Sequence, residues 1–324
     1  MMHAIVCRAF GGPLTLEEQP DRSPVESEVK IAVSASGVNF VDGLIVRGLY
    51  QIKPDLPYVP GFEVAGIVEA IGSEVRNVAV GDRVFATPGL AGGGYATHTF
   101  VDATQTFVLP STVTPEQGAT MVQSYCTGLF ALTRRVDLKP GQTLLVLGAA
   151  GGVGRAAVDI GKALGARVIA GASSTERLRS AREAGADEVI NYESSDLKSR
   201  VRELTNGGVD VVYDPIGSDY SEAALRALGE DGTLLIVGFA AGGIPRLPTN
   251  QMLLRNRRVV GVDWGGWRSS RPELQDDLMR QLCQMIEDNK LHPPSPSVYA
   301  LTAAQDALDA LASRTVHGKV ALIP

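Results

Sequence analysis

A glycine-rich turn directly after an apolar strand is the feature that most constrains how this chain can fold. Residues 144–154 read LLVLGAAGGVG, and the helix-forming segment RAAVDIGKALG follows. A phosphate group can approach a backbone closely where no Cβ atom intervenes, and the amides at a helix N-terminus favour an anion. We therefore expect Gly151, Gly152 and Val153 to bind a phosphate group, and Gly154 to let the helix pack tightly on the strand.

The context of this turn supports a dinucleotide site. Ala149 stands where the usual motif has its first glycine, so the turn alone would also suit a tight strand–helix connection in any α/β protein. From about residue 122, however, apolar strands such as ARVIAGA and TLLIVGFA alternate with helices beginning at Thr175, Leu197 and Tyr220. Buried strands that alternate with helices predict a parallel sheet covered on both faces, and right-handed crossovers make it doubly wound.

The end of the second predicted strand indicates which dinucleotide binds. Sites for NAD normally carry an acidic residue there, about 20 residues past the loop, for the ribose 2′-hydroxyl. This chain has Ala170, Gly171 and Ala172 instead. The next residues offer hydroxyls, a helix N-terminus and a guanidinium to an additional phosphate. We therefore expect NADPH to be the cofactor, with Ser173, Ser174 and Arg177 at its 2′-phosphate. In the simpler interpretation, Ser173 forms a capping box with Glu176, and Arg177 is a surface charge.

Composition limits the classes of protein and partner. A chain of 324 residues with 44% hydrophobic residues buries a large core and suits two domains. The net charge of -6, without a basic cluster, disfavours nucleic acid and anionic membrane surfaces as partners. No apolar run reaches the roughly 18 residues of a membrane helix, and the N-terminus lacks the order of a signal peptide. We therefore expect a cytoplasmic protein.

The two ends of the chain have different patterns. Residues 1–120 contain short β-rich segments separated by turns, which predicts a compact antiparallel barrel or sandwich. An amphipathic helix is predicted over residues 272–290, with Pro272 at its start. Thr302 and Gln305 form a capping-box pattern for a further helix. The tail KVALIP predicts a last strand, which could rejoin the first domain.

Several segments beyond the glycine loop, in consistent order, resemble the medium-chain dehydrogenase/reductase superfamily, in particular its zinc-free NADPH:quinone oxidoreductase branch. The resemblance implies an α/β fold with a Rossmann doubly wound parallel sheet plus a GroES-like β-rich domain. It assigns a substrate domain to residues 1–121, completed by 287–324, and an NADPH-binding domain to 122–286, with the active cleft at their junction. It also implies a homodimer. The segments that carry it are SGVNFVDGLIVRGLY, PYVPGFEVAGIVEAIGSEV, GDRVFA, LGAAGGVGRAAVDIGKALGARVIA, GADEVINY, VVYDPIG and HGKVALIP.

The resemblance also bears on metal binding. Zinc-dependent relatives hold their catalytic metal with a cysteine in the first of these segments and a histidine in a G-H-E motif. This chain has Asn39 and Phe62 at those positions. The lobe that carries four closely spaced cysteines in those relatives is shortened here to LAGGGYATHTF. We therefore expect no metal site, since neither an amide nor a phenyl ring replaces a thiolate or an imidazole as a zinc ligand.

The same resemblance implies catalytic residues. Asn39 is expected beside the nicotinamide, where it also contacts the cofactor, and Tyr50 at the substrate entrance. Each of these two side chains can donate a hydrogen bond to a carbonyl or enolate oxygen. Tyr125 and Thr127 match the segment that passes under the nicotinamide. For Tyr125, a buried aromatic residue in a core helix is an equal alternative.

Further residues match positions elsewhere in the family pattern. Tyr192 is expected to flank the adenosine phosphate. Phe239 follows a strand at the edge where ligands collect in doubly wound sheets. Asp42 is expected to brace its loop rather than to transfer a proton. Arg314 and Lys319 either reach the cofactor or are surface charges.

The predicted activity is NADPH-dependent transfer of hydride to a quinone or an α,β-unsaturated carbonyl without a metal. Alcohol oxidation would need a Lewis acid or an acid catalyst, which the chain lacks an obvious candidate for. Two alternatives remain open. An enoyl-thioester reductase of the acrylyl-CoA type would use the same hydride geometry, and a non-catalytic NADPH-binding protein would bind the cofactor without turnover.

Overall fold

The computed structural model describes residues 1–324, apart from the side chain of Leu90. The chain divides into two compact units. Unit 1 consists of Met1–Val122 and Pro293–Pro324, and unit 2 of Gln123–His292. The assignment of a substrate domain and an NADPH-binding domain stays a prediction. No helix of the described chain combines the length and apolar character needed to cross a lipid bilayer.

The strands of both units are short, with one long exception in unit 1, and they occupy most of the predicted β segments. They are β1 (Met2–Cys7), β2 (Leu14–Gln19), β3 (Glu28–Val38), β4 (Val64–Ile71), β5 (Arg83–Ala86), β6 (His98–Asp102), β7 (Thr106–Val108), β8 (Thr143–Val146), β9 (Arg167–Ala172), β10 (Glu188–Asn191), β11 (Val209–Asp214), β12 (Leu228–Ile236), β13 (Arg258–Gly261), β14 (Ser297–Ala300) and β15 (Val320–Ile323).

The helices alternate with the strands throughout unit 2 and are sparse in unit 1. They are α1 (Phe40–Val46), α2 (Pro115–Leu129), α3 (Gly152–Ala163), α4 (Thr175–Glu183), α5 (Leu197–Leu204), α6 (Ser218–Ala227), α7 (Thr249–Leu253), α8 (Trp264–Ser270), α9 (Pro272–Glu287) and α10 (Ala304–Ala312). A π-helical segment, Phe130–Arg135, continues α2.

Unit 2 is built on a parallel sheet with the strand order β10-β9-β8-β11-β12-β13. The chain moves outward from β8 in one direction through β9 and β10, and in the other through β11, β12 and β13. The order therefore reverses between β8 and β11, and ligands of doubly wound sheets bind beyond the carboxyl ends of the strands at such a point. The glycine turn lies there, directly after β8. The predicted doubly wound sheet is confirmed.

The sheet of unit 2 is buried because its strands are apolar on both faces. Leu144, Leu145 and Val146 of β8 are fully buried, as are Val168 and Ile169 of the neighbouring β9. A strand covered on one face only would alternate between apolar and polar residues. Burying a side chain of this size stabilises the fold by about 1.5–3 kcal/mol, so the central strands contribute a large share of the core.

Unit 1 is mainly antiparallel, which agrees with the β-rich domain predicted for residues 1–120. Its larger sheet has the order β14-β15-β3-β4-β5-β7, with β6 also paired to β3, and β1 and β2 form a separate antiparallel pair. The predicted last strand is β15, and it pairs with β3, so the tail does rejoin the first part of the chain. This return positions the C-terminal segment beside α1.

Some local predictions need correction. The strand before the glycine turn ends at Val146, two residues earlier than the apolar run suggests, and α6 begins at Ser218 instead of Tyr220. Thr302 does not cap α10, because it lies inside a short 3-10 turn and the N-cap is Ala303. The start of α9 at Pro272 is confirmed.

Candidate active site

The glycine turn of unit 2 brings the N-terminus of α3 close to the end of β8. Gly151 is the N-cap of α3 with an extended backbone, and its amide donates to the Gly148 carbonyl at 2.9 Å. A Cβ atom on Gly154 would lie 2.3 Å from that same carbonyl oxygen, so only glycine lets the helix pack this closely. A Cβ atom on Gly151 would meet nothing nearer than 3.4 Å.

This turn fits a diphosphate. The first amides of a helix have no acceptor within the helix, and the helix dipole favours an anion at this end. Gly151 leaves open the space that a Cβ atom would fill beside those amides. The residues predicted for phosphate binding, Gly151, Gly152 and Val153, therefore lie together at the start of α3, and their role stays a prediction.

The segment after β9 presents polar groups at a second helix N-terminus. The Arg177 guanidinium donates to Ser173 Oγ at 3.0 Å, so this side chain is held over the turn. Ser174 Oγ accepts from the Arg177 amide at 3.4 Å and is the N-cap of α4. The simpler interpretation of Ser173 as the helix cap is therefore wrong, because Ser174 has that role. Ser173, Ser174 and Arg177 converge on one turn that can bind an anion.

Aromatic residues lie around the ends of β10 and β12. The Tyr192 ring packs on Tyr220 at a centroid distance of 4.9 Å, and its Cδ1 would be 3.2 Å from a Cβ atom on Gly171. Phe239 follows the end of β12 and is exposed. Both residues therefore lie at the carboxyl edge of the sheet, as the sequence suggests. Their contacts with a ligand stay a prediction.

Tyr125 and Thr127 lie on the last turns of α2. The Tyr125 hydroxyl donates to Asp159 Oδ2 at 2.8 Å, and Asp159 lies about two turns into α3 from its N-terminus. Burial, and then the negative charge of Asp159, raise the pKa of Tyr125 well above its ordinary value. Thr127 Oγ1 donates to the Gln123 carbonyl at 2.6 Å. The contact with Asp159 favours a structural role for Tyr125, and its catalytic role stays a prediction.

In unit 1, strand register brings three distant side chains together. Val320 of β15 pairs with Val38 of β3, which places the preceding Lys319 opposite Asn39. On the other side of β3, the Gly37 amide donates to the Glu63 carbonyl at 2.9 Å. Asn39 therefore lies between a residue of the tail and a residue that precedes β4.

These three side chains form a buried network. Asn39 Nδ2 donates to Glu63 Oε1 at 2.9 Å, and Lys319 Nζ donates to Asn39 Oδ1 at 2.5 Å and to Glu63 Oε1 at 2.8 Å. The exposed fractions are 7% for Asn39, 1% for Glu63 and 8% for Lys319. Because both charges are buried, each needs the partner that the network provides. Lys319 is therefore not a surface charge.

Asp42, in the first turn of α1, binds the backbone of Asn39. Its Oδ2 accepts from the Asn39 backbone amide at 2.6 Å and from the Tyr95 hydroxyl at 3.1 Å, while Oδ1 has no hydrogen-bond partner among the described residues. Burial raises the pKa of Asp42 to about 7, and the nearby Glu63 adds to this effect. Asp42 thus braces the start of α1, which agrees with the role expected from the sequence. Tyr50 packs half-buried against the adjoining core.

Comparisons with known proteins identify the family. The model of the alcohol dehydrogenase GroES-like domain matches residues 25–111, and that of zinc-binding dehydrogenases matches residues 152–281. The chain is 36% identical over 323 residues to quinone oxidoreductase-like protein 2 homolog of Nematostella vectensis, which covers 98% of this chain and 88% of that protein. It is 34% identical over 322 residues to quinone oxidoreductase 1 of Escherichia coli, covering 97% of each.

A solved structure agrees with these relatives. The crystal structure of the Escherichia coli quinone oxidoreductase complexed with NADPH superposes with a TM-score of 0.90 at 32% identity, covering 99% of this chain and 100% of that one. The chain belongs to the quinone oxidoreductase branch of the medium-chain dehydrogenase/reductase superfamily. The family predicted from the sequence is confirmed, and the chain is an oxidoreductase with a Rossmann sheet and a GroES-like domain.

The superfamily includes zinc-dependent members, in which side chains of the protein bind a catalytic metal ion. The sequence resemblance assigns Asn39 and Phe62 to the positions of the catalytic cysteine and histidine of those members, and a phenyl ring has no donor atom. The Lys319 ammonium group already faces the Asn39 and Glu63 oxygens that a metal would need. Among the described residues, no group of three or more His, Cys, Asp or Glu side chains is arranged to hold a metal ion. These side chains do not fit a catalytic zinc ion.

The sequence interpretation missed Glu63 and left Lys319 undecided. The signal for Glu63 is its place beside Phe62 in the G-F-E segment, where it directly precedes β4. The signal for Lys319 is its place immediately before the last strand. Both become interpretable only when β15 and β4 are placed on opposite sides of β3.

Proposed function

We propose that this protein is an NADPH-dependent reductase of quinones or α,β-unsaturated carbonyl compounds that works without a metal. In this proposal unit 2 is the NADPH-binding domain and unit 1 is the substrate domain. Relatives named quinone oxidoreductases support the substrate class, and the Escherichia coli relative complexed with NADPH supports the cofactor.

The observation that carries the proposal is the network around Asn39. It replaces metal ligands by a carboxamide fixed between an ammonium and a carboxylate group. An amide N–H can donate a hydrogen bond to the oxygen of a carbonyl group, where negative charge grows during reduction. It cannot act as a Lewis acid, which is how zinc assists alcohol oxidation in the metal-dependent members of the superfamily. The site therefore suits an acceptor that is already electron-poor.

The cofactor residues follow from the turns of unit 2. We assign the pyrophosphate to Gly151, Gly152 and Val153, and the 2′-phosphate to Ser173, Ser174 and Arg177, with Tyr192 beside the adenosine. When bound, NADPH supplies a hydride, and solvent supplies the proton that completes the two-electron reduction. Asn39 holds the acceptor oxygen, while Thr127 and Phe239 are assigned to the cofactor side and Tyr50 to the substrate side.

The test is a comparison of initial rates, followed through the absorbance of the reduced nicotinamide. We expect a benzoquinone or a short enone to be reduced with NADPH in the presence of a metal chelator, and a saturated alcohol not to be oxidised with NADP⁺. If an enoyl thioester were reduced faster than the quinone and the enone, the substrate would be assigned to the enoyl thioesters instead. A requirement for stoichiometric zinc, or tight NADPH binding with no reduction of any acceptor, would contradict the proposal.

Arg177→Ala is expected to weaken NADPH binding by about 10- to 150-fold, because a hydrogen bond to a charged group contributes about 1.5–3 kcal/mol. NADH, which has no 2′-phosphate, should bind almost unchanged. The dissociation constants can be measured by fluorescence titration of the reduced cofactors. Arg179→Ala is the matched control, since Arg179 lies exposed on the same helix and should leave both constants unchanged. Equal losses for the two cofactors in Arg177→Ala would contradict the assignment.

The sequence also predicts a homodimer and a cytoplasmic location. Both stay predictions, and sedimentation of the purified protein tests the first.

A further inference from the structure

The network around Asn39 determines the orientation of its side-chain amide. A carboxamide has two ends of opposite hydrogen-bonding character, and here each end faces a group of the opposite kind. The oxygen accepts from the Lys319 ammonium and the nitrogen donates to the Glu63 carboxylate. Turning the amide over would place NH₂ against ammonium and oxygen against carboxylate, and would lose two charge-assisted hydrogen bonds. A single orientation is therefore strongly favoured.

The carboxylate that sets this orientation is itself confined. A Cβ atom on Gly37 would lie 2.0 Å from the Ala119 carbonyl oxygen, 2.8 Å from Glu63 Cγ and 3.0 Å from Glu63 Oε1. The backbone of β3 therefore packs directly against the Glu63 side chain. Lys319, which immediately precedes β15, is held by its hydrogen bonds to Asn39 and Glu63. Glu63 and Lys319, which are 256 residues apart in the sequence, thus hold the two ends of the Asn39 carboxamide.

A buried ion pair is weak evidence of stabilisation. Removing two charges from water is costly, and apolar replacements of similar size are often as stable. Such pairs are most useful where they specify one arrangement among several. The arrangement specified here is that of Asn39, and an amide nitrogen carries two hydrogens, of which Glu63 accepts one.

We propose that Glu63 and Lys319 are positioning residues that hold the Asn39 carboxamide so that its second amide hydrogen is presented to the oxygen of the reducible carbonyl compound. This inference rests on the proposed function for the identity of the substrate. Neither positioning residue touches the reacting atoms. Their effect on the reaction passes entirely through Asn39.

The test uses a charge-neutral pair of substitutions, Glu63→Gln with Lys319→Met. Single substitutions would leave a buried charge without its partner and could unfold the protein. The double variant is expected to keep its NADPH affinity and, within a few degrees, its unfolding temperature, while kcat for the best acceptor falls about 10- to 100-fold. The control pair Asp137→Asn with Lys139→Met removes an exposed ion pair and should leave kcat unchanged.

A double-mutant cycle distinguishes positioning from a general structural role. In an Asn39→Ala background, the substitutions at Glu63 and Lys319 should cause no further loss of kcat, because the group on which they act is absent. Losses that multiply in that background, or an unchanged kcat in the double variant, would overturn the proposal.

The side-chain amide of Asn39 gives a readout that does not depend on activity. In protein labelled with ¹⁵N-asparagine, Asn39→Ala identifies its pair of amide proton resonances. The intact protein should show two widely separated, slowly exchanging protons, and the Glu63 and Lys319 double variant should bring them together and speed their exchange. An unchanged spectrum would overturn the positioning role. If the intact protein reduces no acceptor, the proposed function fails, and this spectrum alone then decides the orientation of the amide.

Discussion

Gly154→Ala is expected to lower the free energy of unfolding by about 3 kcal/mol. The added methyl group would lie 2.3 Å from the Gly148 carbonyl oxygen and 2.8 Å from its carbon. These are backbone atoms of the turn, so no side chain can rotate away from the clash. The higher helix propensity of alanine offsets at most about 1 kcal/mol. The unfolding temperature should fall by about 10 °C, since each kcal/mol corresponds to roughly 2–4 °C in domains of roughly 150–250 residues.

The same variant should lose NADPH affinity, because relief of the clash moves the start of α3 away from the turn. Two matched variants separate these effects. Gly229→Ala places its Cβ atom no nearer than 3.6 Å to any atom outside the adjacent residues, and should change neither stability nor binding. In Gly151→Ala the added Cβ atom has its nearest contact at 3.4 Å, so this variant should keep the fold while its affinity for NADPH falls. Thermal unfolding and NADPH titration of the three variants test this, and an unfolding temperature for Gly154→Ala equal to that of the unsubstituted protein would contradict it.

The elements of unit 2 were predictable because their signals are local. The glycine turn, the helix that follows it and the polar turn at Ser173 each occupy a few consecutive residues. The strand pattern also fixed the class of sheet, because strands covered on both faces read as continuous apolar runs. Errors arose only at element ends. For example, the sequence suggests Ser173 as the cap of α4, whereas the structure has Ser174 there. Neighbouring serines offer the same cap, and the backbone conformation selects between them.

The network of unit 1 was not predictable in the same way. Asn39 and Lys319 are 280 residues apart, and their contact depends on the pairing of β15 with β3. A lysine before a terminal strand looks like a solvated charge until that pairing is known. Tyr125 illustrates the converse. Its place in the family pattern suggests catalysis, whereas its hydroxyl is bound to Asp159, a partner that sequence spacing does not identify.

Asp42→Asn is expected to remove a pH dependence of stability that comes from one buried carboxyl group. Burial raises the pKa of Asp42 from its ordinary value of 3.8 to about 7. Between these two values the folded protein keeps a proton on Asp42 that the unfolded chain has lost. The free energy of unfolding therefore falls as the pH rises from about 4 to about 7. A shift of this size corresponds to a loss on the order of 4 kcal/mol.

Asparagine resembles the protonated acid in size and remains neutral throughout this range. Its oxygen can still accept from the Asn39 amide and the Tyr95 hydroxyl, which the aspartate now binds. Several groups face this carboxyl and modify its charge. The carboxylate of Glu63 favours the proton and the Lys319 ammonium opposes it, while Tyr58 and Tyr95 are themselves shifted upward in pKa by burial and by Asp42. Neither Tyr58 nor Tyr95 ionises below pH 8, so neither contributes to the pH dependence of stability in this range.

The measurement is urea unfolding of the intact and substituted proteins at intervals between pH 4 and pH 8. The difference in free energy between Asp42→Asn and the unsubstituted protein should rise across this range in favour of the variant, by on the order of 4 kcal/mol. Using the change in that difference cancels any constant effect of the substitution. A difference that stays constant with pH would mean that the buried Asp42 carboxyl is already ionised at pH 4, and that the network around Asn39 compensates its charge.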